Sequence, residues 1–258
     1  MNRRKFIATS TAVTAGMPVL AGGGAEHSTG PKGFGVPGYD YRRPDFPKGM
    51  RLLFQGDSIT DMKRGRNEKD RNHYLGHSYV FLIAARLGVD MPETTLEFHN
   101  RGVSGNRVAD LRRRWKRDAI AINPDLLSIL IGVNDVWHTS DNTVDFAKWE
   151  ADYRYLLDAS RKANPKLKLV LIEPFILQCG HVADAKTYAH WRHQIDRMIE
   201  IVRKLAADHQ AVRVPMQEVF DAAAKVAPPD HWIWDGVHPL PQGHELIARH
   251  WLQEVAKT

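Results

Sequence analysis

Residues 51–60 have the sequence RLLFQGDSIT, which predicts a strand followed directly by a helix. Its first half is a short apolar run, which is typical of a strand buried in a parallel sheet. A strand that ends at Gly56 and turns into a helix leaves Ser58 at the helix N-terminus, with its hydroxyl exposed and its N–H directed at any developing oxyanion. The alternative is that Ser58 only caps the helix, with Asp61 completing a capping box. Asp57 is predicted to hold the turn by accepting backbone N–H groups.

Short apolar runs alternate with longer segments of helical periodicity along the rest of the chain. Strands are predicted at 51–55, 95–99, 126–131, 168–173 and 212–215. Helices are predicted at 78–87, 108–122, 145–162, 184–208 and 242–255. This alternation predicts one α/β domain with three α/β/α layers and a five-stranded parallel sheet in flavodoxin-like order. Such folds bind ligands at the carboxyl ends of their strands.

Two further motifs follow predicted strands. GVSGN stands at 102–106, where Gly105 can adopt a backbone conformation closed to other residues and bring its N–H close to a ligand. An ordinary turn with Ser104 or Asn106 as a helix cap remains the alternative there. GVND stands at 132–135, after the most apolar strand. The Asn134 amide can donate to a tetrahedral intermediate, although Asn-Asp is also a common turn dipeptide.

The last motif, DGVHP at 235–239, is the strongest single signal. Asp235 and His238 can meet only if the backbone turns between them, which Gly236 allows. His238, held by Asp235, can then take the proton of Ser58 as a general base. A structural histidine beside a proline is the alternative, and the matching serine counts against it.

The N-terminus reads as a targeting segment. Residues 1–25 contain a paired-arginine run, an apolar stretch and small residues in that order, which predicts a twin-arginine export signal cut after Ala21 or Ala25. Removing it lowers the formal charge from +6 to about +3. Residues 26–48 are rich in glycine and proline and are expected to form an arm or linker, with the folded domain at 49–258.

Other ligand classes receive little support. The basic run 112–117 falls in a predicted helix, where a solvated face is favoured over nucleic-acid binding. No apolar run approaches the roughly 18 residues that a membrane span needs. A metal is not expected, because His181, Asp184, His190 and His193 form no closed ligand set, and Cys179 is the single cysteine. No cofactor is implied either.

Taken together, the four motifs resemble the SGNH, or GDSL-type, hydrolase superfamily across about residues 50–256. The resemblance implies a nucleophile at Ser58, an oxyanion hole formed by Ser58, Gly105 and Asn134, and a triad completed by Asp235 and His238. Longer stretches are similar to bacterial acetylxylan esterases, namely NRGVSGNRVADLRRRW, SILIGVNDVW and WDGVHPLPQGHELIARHWL.

That closer similarity implies an esterase that removes O-acetyl groups from xylan or xylo-oligosaccharides through an acyl-enzyme. The N-terminal signal predicts that this esterase is exported to the periplasm or the cell exterior. The alternative is a lipid esterase or lysophospholipase, although no apolar lid stands near the motifs. Trp137 and Trp234 flank the motifs and are expected to contact substrate, with a core role as the alternative. The loop at 61–77 is unusually charged, and loops there shape the pocket, so the sequence does not fix the substrate. The sequence also does not fix whether the chain forms a homo-oligomer.

Overall fold

A computed structural model describes residues 41–67, 69–139, 141 and 143–257. Within these residues the chain forms one five-stranded parallel sheet covered by helices on both faces, so the predicted three-layer α/β fold is confirmed. The predicted export signal at 1–25 and the arm up to residue 40 lie outside the described residues.

The strand order is the flavodoxin-like one, β2-β1-β3-β4-β5. The strands are β1 (Arg51–Gly56), β2 (Glu97–Asn100), β3 (Leu126–Leu130), β4 (Lys168–Ile172) and β5 (Val212–Val214). Gly56 lies opposite Leu130 in the register of β1 and β3. The loops that follow these two strands therefore leave the sheet side by side, at the point where the strand order reverses.

The helices form two groups, one on each face of the sheet. They are α1 (Ser58–Asp61), α2 (Tyr79–Asp90), α3 (Val108–Asp118), α4 (Val133–Trp137), α5 (Phe146–Ala163), α6 (Ala185–Asp208), α7 (Met216–Ala223), α8 (Pro229–Trp232) and α9 (Pro241–Val255). Helices α2 and α9 pack together on one face, and α3, α5 and α6 cover the other. Trp251 of α9 donates its indole N–H to Ser128 of β3 at 3.0 Å. Trp115 of α3 likewise donates to Ser160 of α5.

The predicted element bounds shift where local backbone geometry intervenes. Thr95 adopts a left-handed conformation with φ 47° at the end of a short 3₁₀ turn, so β2 begins at Glu97 rather than at residue 95. The helix predicted at 108–122 ends at Asp118 and is followed by a separate 3₁₀ turn. Short helices α4, α7 and α8 were not predicted, because one or two turns give too little periodicity to detect.

The described end of the arm, residues 41–48, has no regular structure but packs against the domain. Phe46 is only 4% exposed and belongs to the core, and the Tyr41 hydroxyl donates to Asp90 of α2 at 2.5 Å. The folded unit therefore includes side chains on the N-terminal side of residue 49.

The basic run on α3 is engaged with acidic neighbours. Arg112 pairs with Asp152 of α5, and Arg114 and Arg117 both pair with Asp118. These ion pairs compensate part of the positive charge locally. Among the described residues, no helix combines the length and apolar character that crossing a membrane requires.

Candidate active site

Three side chains from opposite ends of the chain form a continuous hydrogen-bonded series. The Ser58 hydroxyl lies 2.7 Å from His238 Nε2, and His238 Nδ1 lies 2.6 Å from Asp235 Oδ2. An ionised carboxylate only accepts hydrogen bonds, so Nδ1 carries the proton and Nε2 of the neutral ring accepts from Ser58. Such an arrangement can activate a serine as a nucleophile.

Hydrogen bonds from its own backbone to the Asp235 side chain hold the turn that carries Asp235 and His238. Asp235 Oδ1 accepts from the N–H groups of Val237 at 3.0 Å and of His238 at 2.7 Å, and Gly236 takes φ +94° between them. The segment after β4 supports this turn from outside, because Leu177 N–H donates to the Gly236 carbonyl and His181 N–H to the Asp235 carbonyl.

Helix α1 places Ser58 at its first position, directly after β1. Asp57, and not Ser58, is the N-cap, and its Oδ1 accepts from the Ile59 N–H at 2.9 Å. The alternative in which Ser58 caps the helix is therefore wrong, and the Ser58 hydroxyl is left for His238. Burial raises the pKa of the Asp57 carboxyl to about 7, against the opposing effects of the Ile59 N–H and the nearby His238.

Gly105 and Asn134 lie on the loops that follow β2 and β3. Gly105 has φ +79°, as predicted for a position closed to other residues. The Asn134 amide nitrogen donates to the Asn106 carbonyl at 3.2 Å, which joins the two loops and orients the second amide N–H. Within the described residues, neither the Ser58 N–H nor the Gly105 N–H donates to another protein group. Three donors at the carboxyl edge of the sheet thus remain available to a ligand.

The charges of the series favour a basic imidazole held by an anion. The hydrogen bond to Asp235 raises the pKa of His238, burial opposes that rise, and Asp57 adds to it. Burial raises the pKa of Asp235, but the hydrogen bonds from the His238 ring and from the backbone outweigh burial and leave this pKa below its ordinary value. A neutral His238 beside an ionised Asp235 is the form suited to accept a proton.

A family model for the GDSL-like lipase/acylhydrolase family matches residues 54–246, which spans every side chain of this arrangement. The chain belongs to that family. This GDSL-family chain is also 35% identical over 215 residues to an acetylxylan esterase from Geobacillus stearothermophilus, covering 80% of this chain and 94% of the relative. The chain is accordingly a carboxylic ester hydrolase.

Solved structures agree with this membership. A protein from Parabacteroides merdae ATCC 43184, described as a putative GDSL-like lipase, superposes with a TM-score of 0.78 at 38% identity, covering 84% of this chain and all of that one. The structure of the Geobacillus acetylxylan esterase superposes with a TM-score of 0.71 at 34% identity, covering 81% of this chain and 95% of that one. Both support the three-layer fold of this GDSL-family hydrolase.

The two tryptophans predicted to contact substrate are placed differently. The Trp137 ring centroid lies 6.4 Å from that of His238 and packs edge-on against Trp191 and His181. Trp234 is 60% exposed, so the alternative that it is a core residue is wrong. Its contact with the site is through the backbone, where its N–H donates to the His238 carbonyl at 3.3 Å.

Two of the residues considered as metal ligands, His181 and Asp184, have other contacts. His181 lies against Trp137, and Asp184 caps α6 by accepting from the Thr187 N–H at 2.9 Å. Across the part of the chain that the structure describes, no three His, Cys, Asp or Glu side chains are grouped to hold a metal ion.

Sequence reasoning missed two residues that contact the loop carrying Gly105. Asp61 was considered only as part of a capping box, yet it binds Ser104 of the loop that carries Gly105. Arg114 was treated as one of a basic run, yet its side chain donates to Asn106 at 2.8 Å. The burial of Asp61 and Arg114 depends on tertiary packing that motif spacing does not reveal.

Proposed function

We propose that this chain is a serine esterase that removes O-acetyl groups from carbohydrate, with acetylated xylan or xylo-oligosaccharides as substrates. The observation that carries the proposal is the hydrogen-bonded series from Ser58 through His238 to Asp235, beside N–H groups with no partner among the described residues. The similarity to an acetylxylan esterase supports the choice of acyl group and of alcohol.

In the first step, Ser58 Oγ attacks the carbonyl carbon of the acetyl ester while its proton passes to His238 Nε2. Negative charge then develops on the carbonyl oxygen, where the N–H groups of Ser58 and Gly105 and the Asn134 amide donate to it. Asp235 keeps the Nδ1 proton on the ring and stabilises the imidazolium. When the intermediate collapses, the ester bond breaks and His238 gives its proton to the departing sugar hydroxyl.

The second step repeats this chemistry with water. His238 Nε2, neutral again, takes a proton from a water molecule that attacks the acetyl-Ser58 carbonyl. The same three donors bind the second oxyanion, and collapse releases acetate while the proton returns to Ser58 Oγ. No group beyond these side chains, the backbone and water is needed to balance either step.

Variants of the Geobacillus acetylxylan esterase support these roles. Alanine replacements of one serine, one aspartate and one histidine in that protein are described as catalytic mutants. The aspartate and the histidine stand three positions apart there, which is also the separation of Asp235 and His238 here. We therefore assign Ser58 as the nucleophile and His238 as the general base. Asp235 is assigned as the carboxylate that orients the imidazole.

The aromatic residues around His238 support a sugar substrate. Trp137 borders the imidazole, and the exposed indole of Trp234 offers a flat apolar surface two residues from Gly236. Sugar rings pack well against such surfaces. The second candidate is a lipid esterase, which the similarity to a protein classed as a GDSL-like lipase favours.

A comparison of acyl chain lengths separates the two candidates. Purified protein is assayed on acetylated xylo-oligosaccharides, nitrophenyl acetate and nitrophenyl octanoate, beside a Ser58→Ala control. If the protein is an acetylesterase, acetyl esters should have the higher kcat/KM, because an acyl pocket that fits acetyl must exclude added methylenes. A higher kcat/KM on octanoyl esters would reject the acetylesterase proposal in favour of the lipid esterase.

We further propose export through the twin-arginine-type signal at 1–25, after which 26–48 forms an arm preceding the domain. Expression of the full chain in a host with and without a functional twin-arginine pathway tests this proposal. N-terminal sequencing of the exported product should begin after Ala21 or Ala25. Accumulation of the uncut chain in both hosts would contradict the export proposal.

Sedimentation of the exported protein determines whether it forms a homo-oligomer.

A further inference from the structure

Asp61 joins the nucleophile helix to the loop that carries Gly105. It is the last residue of α1, three positions after Ser58, and its side chain is 3% exposed. Its Oδ2 accepts from both the N–H of Ser104, at 3.0 Å, and the Ser104 hydroxyl, at 3.1 Å. Ser104 directly precedes Gly105, so this carboxylate is one residue away from a proposed oxyanion donor.

Arg66 is the other partner of the Asp61 carboxylate. Its two terminal nitrogens donate to Asp61 Oδ1 at 3.0 Å and Oδ2 at 2.7 Å, in the paired geometry of a guanidinium and a carboxylate. Burial raises the pKa of Asp61, but the donors from Arg66 and Ser104 outweigh burial and leave this pKa below its ordinary value. Asp61 is therefore ionised at neutral pH and satisfied by four hydrogen bonds.

The residues that follow Ser58 also contact the start of the loop at 102–106. Arg64 Nε donates to the Gly102 carbonyl at 2.8 Å. Gly102 packs so closely on α1 that a Cβ there would lie 2.4 Å from the Asp61 nitrogen. Gly102 and Ser104 are thus held by the residues that follow Ser58, while Asn106 is held by Asn134 and Arg114.

We propose that Asp61 is a positioning residue for acyl transfer, which holds the loop at 102–106 so that the Gly105 N–H stays aligned with Ser58. This inference rests on the proposed function of the same site. It also gives the charged loop at 61–77 a role, since Arg66 from that loop orients the Asp61 carboxylate.

The geometry predicts an effect on kcat rather than on KM. The Gly105 N–H meets a full negative charge only in the transition state, so its alignment contributes little to ground-state binding. In Asp61→Asn the amide has one accepting oxygen, and its NH₂ group faces a donor from either Ser104 or Arg66. Because misplacement by about 1 Å can cost roughly 100-fold, we expect kcat to fall about 10- to 100-fold.

The experiment compares Asp61→Asn with wild type on nitrophenyl acetate, with rates expressed per active site. Active sites are counted by titrating Ser58 with a fluorophosphonate, which removes any contribution from unfolded protein. Binding of a trifluoromethyl ketone, which forms a tetrahedral oxyanion on Ser58, is compared with binding of a deacetylated xylo-oligosaccharide. We expect trifluoromethyl ketone affinity to fall in parallel with kcat, while KM and oligosaccharide affinity stay within twofold.

Two further variants keep the test decisive if Asp61→Asn does not fold. Ser104→Ala removes one hydrogen bond from an exposed position and should lower kcat about three- to tenfold. Arg66→Gln should also lower kcat without changing KM. Asp70→Asn is the matched control, because Asp70 lies in the same loop, is 40% exposed and pairs with His73. We expect wild-type kcat from that control.

Unchanged kcat per active site in both Ser104→Ala and Arg66→Gln would overturn the proposal. So would a kcat loss with unchanged trifluoromethyl ketone affinity, since misalignment of an oxyanion donor must weaken that adduct. Failure of the proposed function is a separate result, recognised by full activity in Ser58→Ala or by preference for octanoyl esters in wild type.

Discussion

Asp235→Asn tests how the imidazole is oriented, and the structure fixes what the amide must do. The Val237 and His238 N–H groups both donate to Oδ1, so the asparagine oxygen is expected at that position. Its NH₂ group then takes the place of Oδ2, which lies 2.6 Å from His238 Nδ1 in the wild-type protein. Two donors cannot share this contact, so the ring must carry its proton on Nε2 and can no longer accept from Ser58.

We therefore expect kcat/KM to fall by about 10⁴, which is about 5.5 kcal/mol of transition-state stabilisation. The loss combines the wrong tautomer with the loss of the anion that stabilises the imidazolium. The fold should be preserved, because the asparagine oxygen still accepts both backbone N–H groups. Initial rates on nitrophenyl acetate, with Tm by differential scanning calorimetry, measure the two quantities separately.

Asp230→Asn is the matched control, since Asp230 lies nearby on α8 and is exposed. It should retain wild-type kcat/KM and Tm. A loss of less than tenfold in Asp235→Asn, with Tm unchanged, would refute the proposal that Asp235 sets the tautomer of His238.

Three further predictions concern Asn134 as an oxyanion donor, the loss of activity at acid pH and the buried carboxyl of Asp57. Asn134→Ala should lower kcat about 10²- to 10³-fold with KM nearly unchanged, and steady-state kinetics would contradict the oxyanion role if kcat stayed within threefold. Activity should fall as pH drops through the raised pKa of His238, so a kcat/KM profile that is flat from pH 5 to 8 would exclude His238 as the base. Burial raises the pKa of the Asp57 carboxyl from 3.8 to about 7, so the folded state binds the carboxyl proton more tightly than the unfolded state does. The stability contributed by protonated Asp57 is therefore lost as pH rises from about 4 to about 7. Asp57→Asn should therefore gain stability relative to wild type as pH rises through that window, and urea unfolding at pH 5 and 8 would contradict this if the difference stayed constant.

The fold was predictable because its periodic signals are strong. Apolar runs at the five strands and amphipathic spacing in the long helices predicted a parallel sheet, which the structure confirms. Bounds failed where single residues interrupted an element, as the left-handed Thr95 delays β2. The contribution of Phe46 to the core could not be foreseen, since a glycine- and proline-rich context favours an arm and only packing shows that this side chain is buried.

The site was predictable to the extent that its chemistry resides in short motifs. Spacing alone indicated that Asp235 and His238 could meet, and the structure brings them into contact with Ser58. Their catalytic roles remain predictions. The contacts made by Asp61 and Arg114 were not predictable from motif spacing. Asp61 lies 43 residues from Ser104 in the sequence and Arg114 lies 58 residues from Gly56, so these pairs meet only through the packing of α1, α3 and the loop at 102–106.

Trapping of the acyl-enzyme tests directly whether Ser58 is the nucleophile. Wild-type protein is mixed with excess nitrophenyl acetate, quenched in acid within milliseconds and mapped by peptide mass spectrometry. We predict one acetyl group per chain on Ser58, which is absent from Ser58→Ala and chases to free acetate after dilution. Acetylation at another residue would show that Ser58 is not the nucleophile. Full turnover without a covalent intermediate in single-turnover measurements, together with retained activity in Ser58→Ala, would show the same.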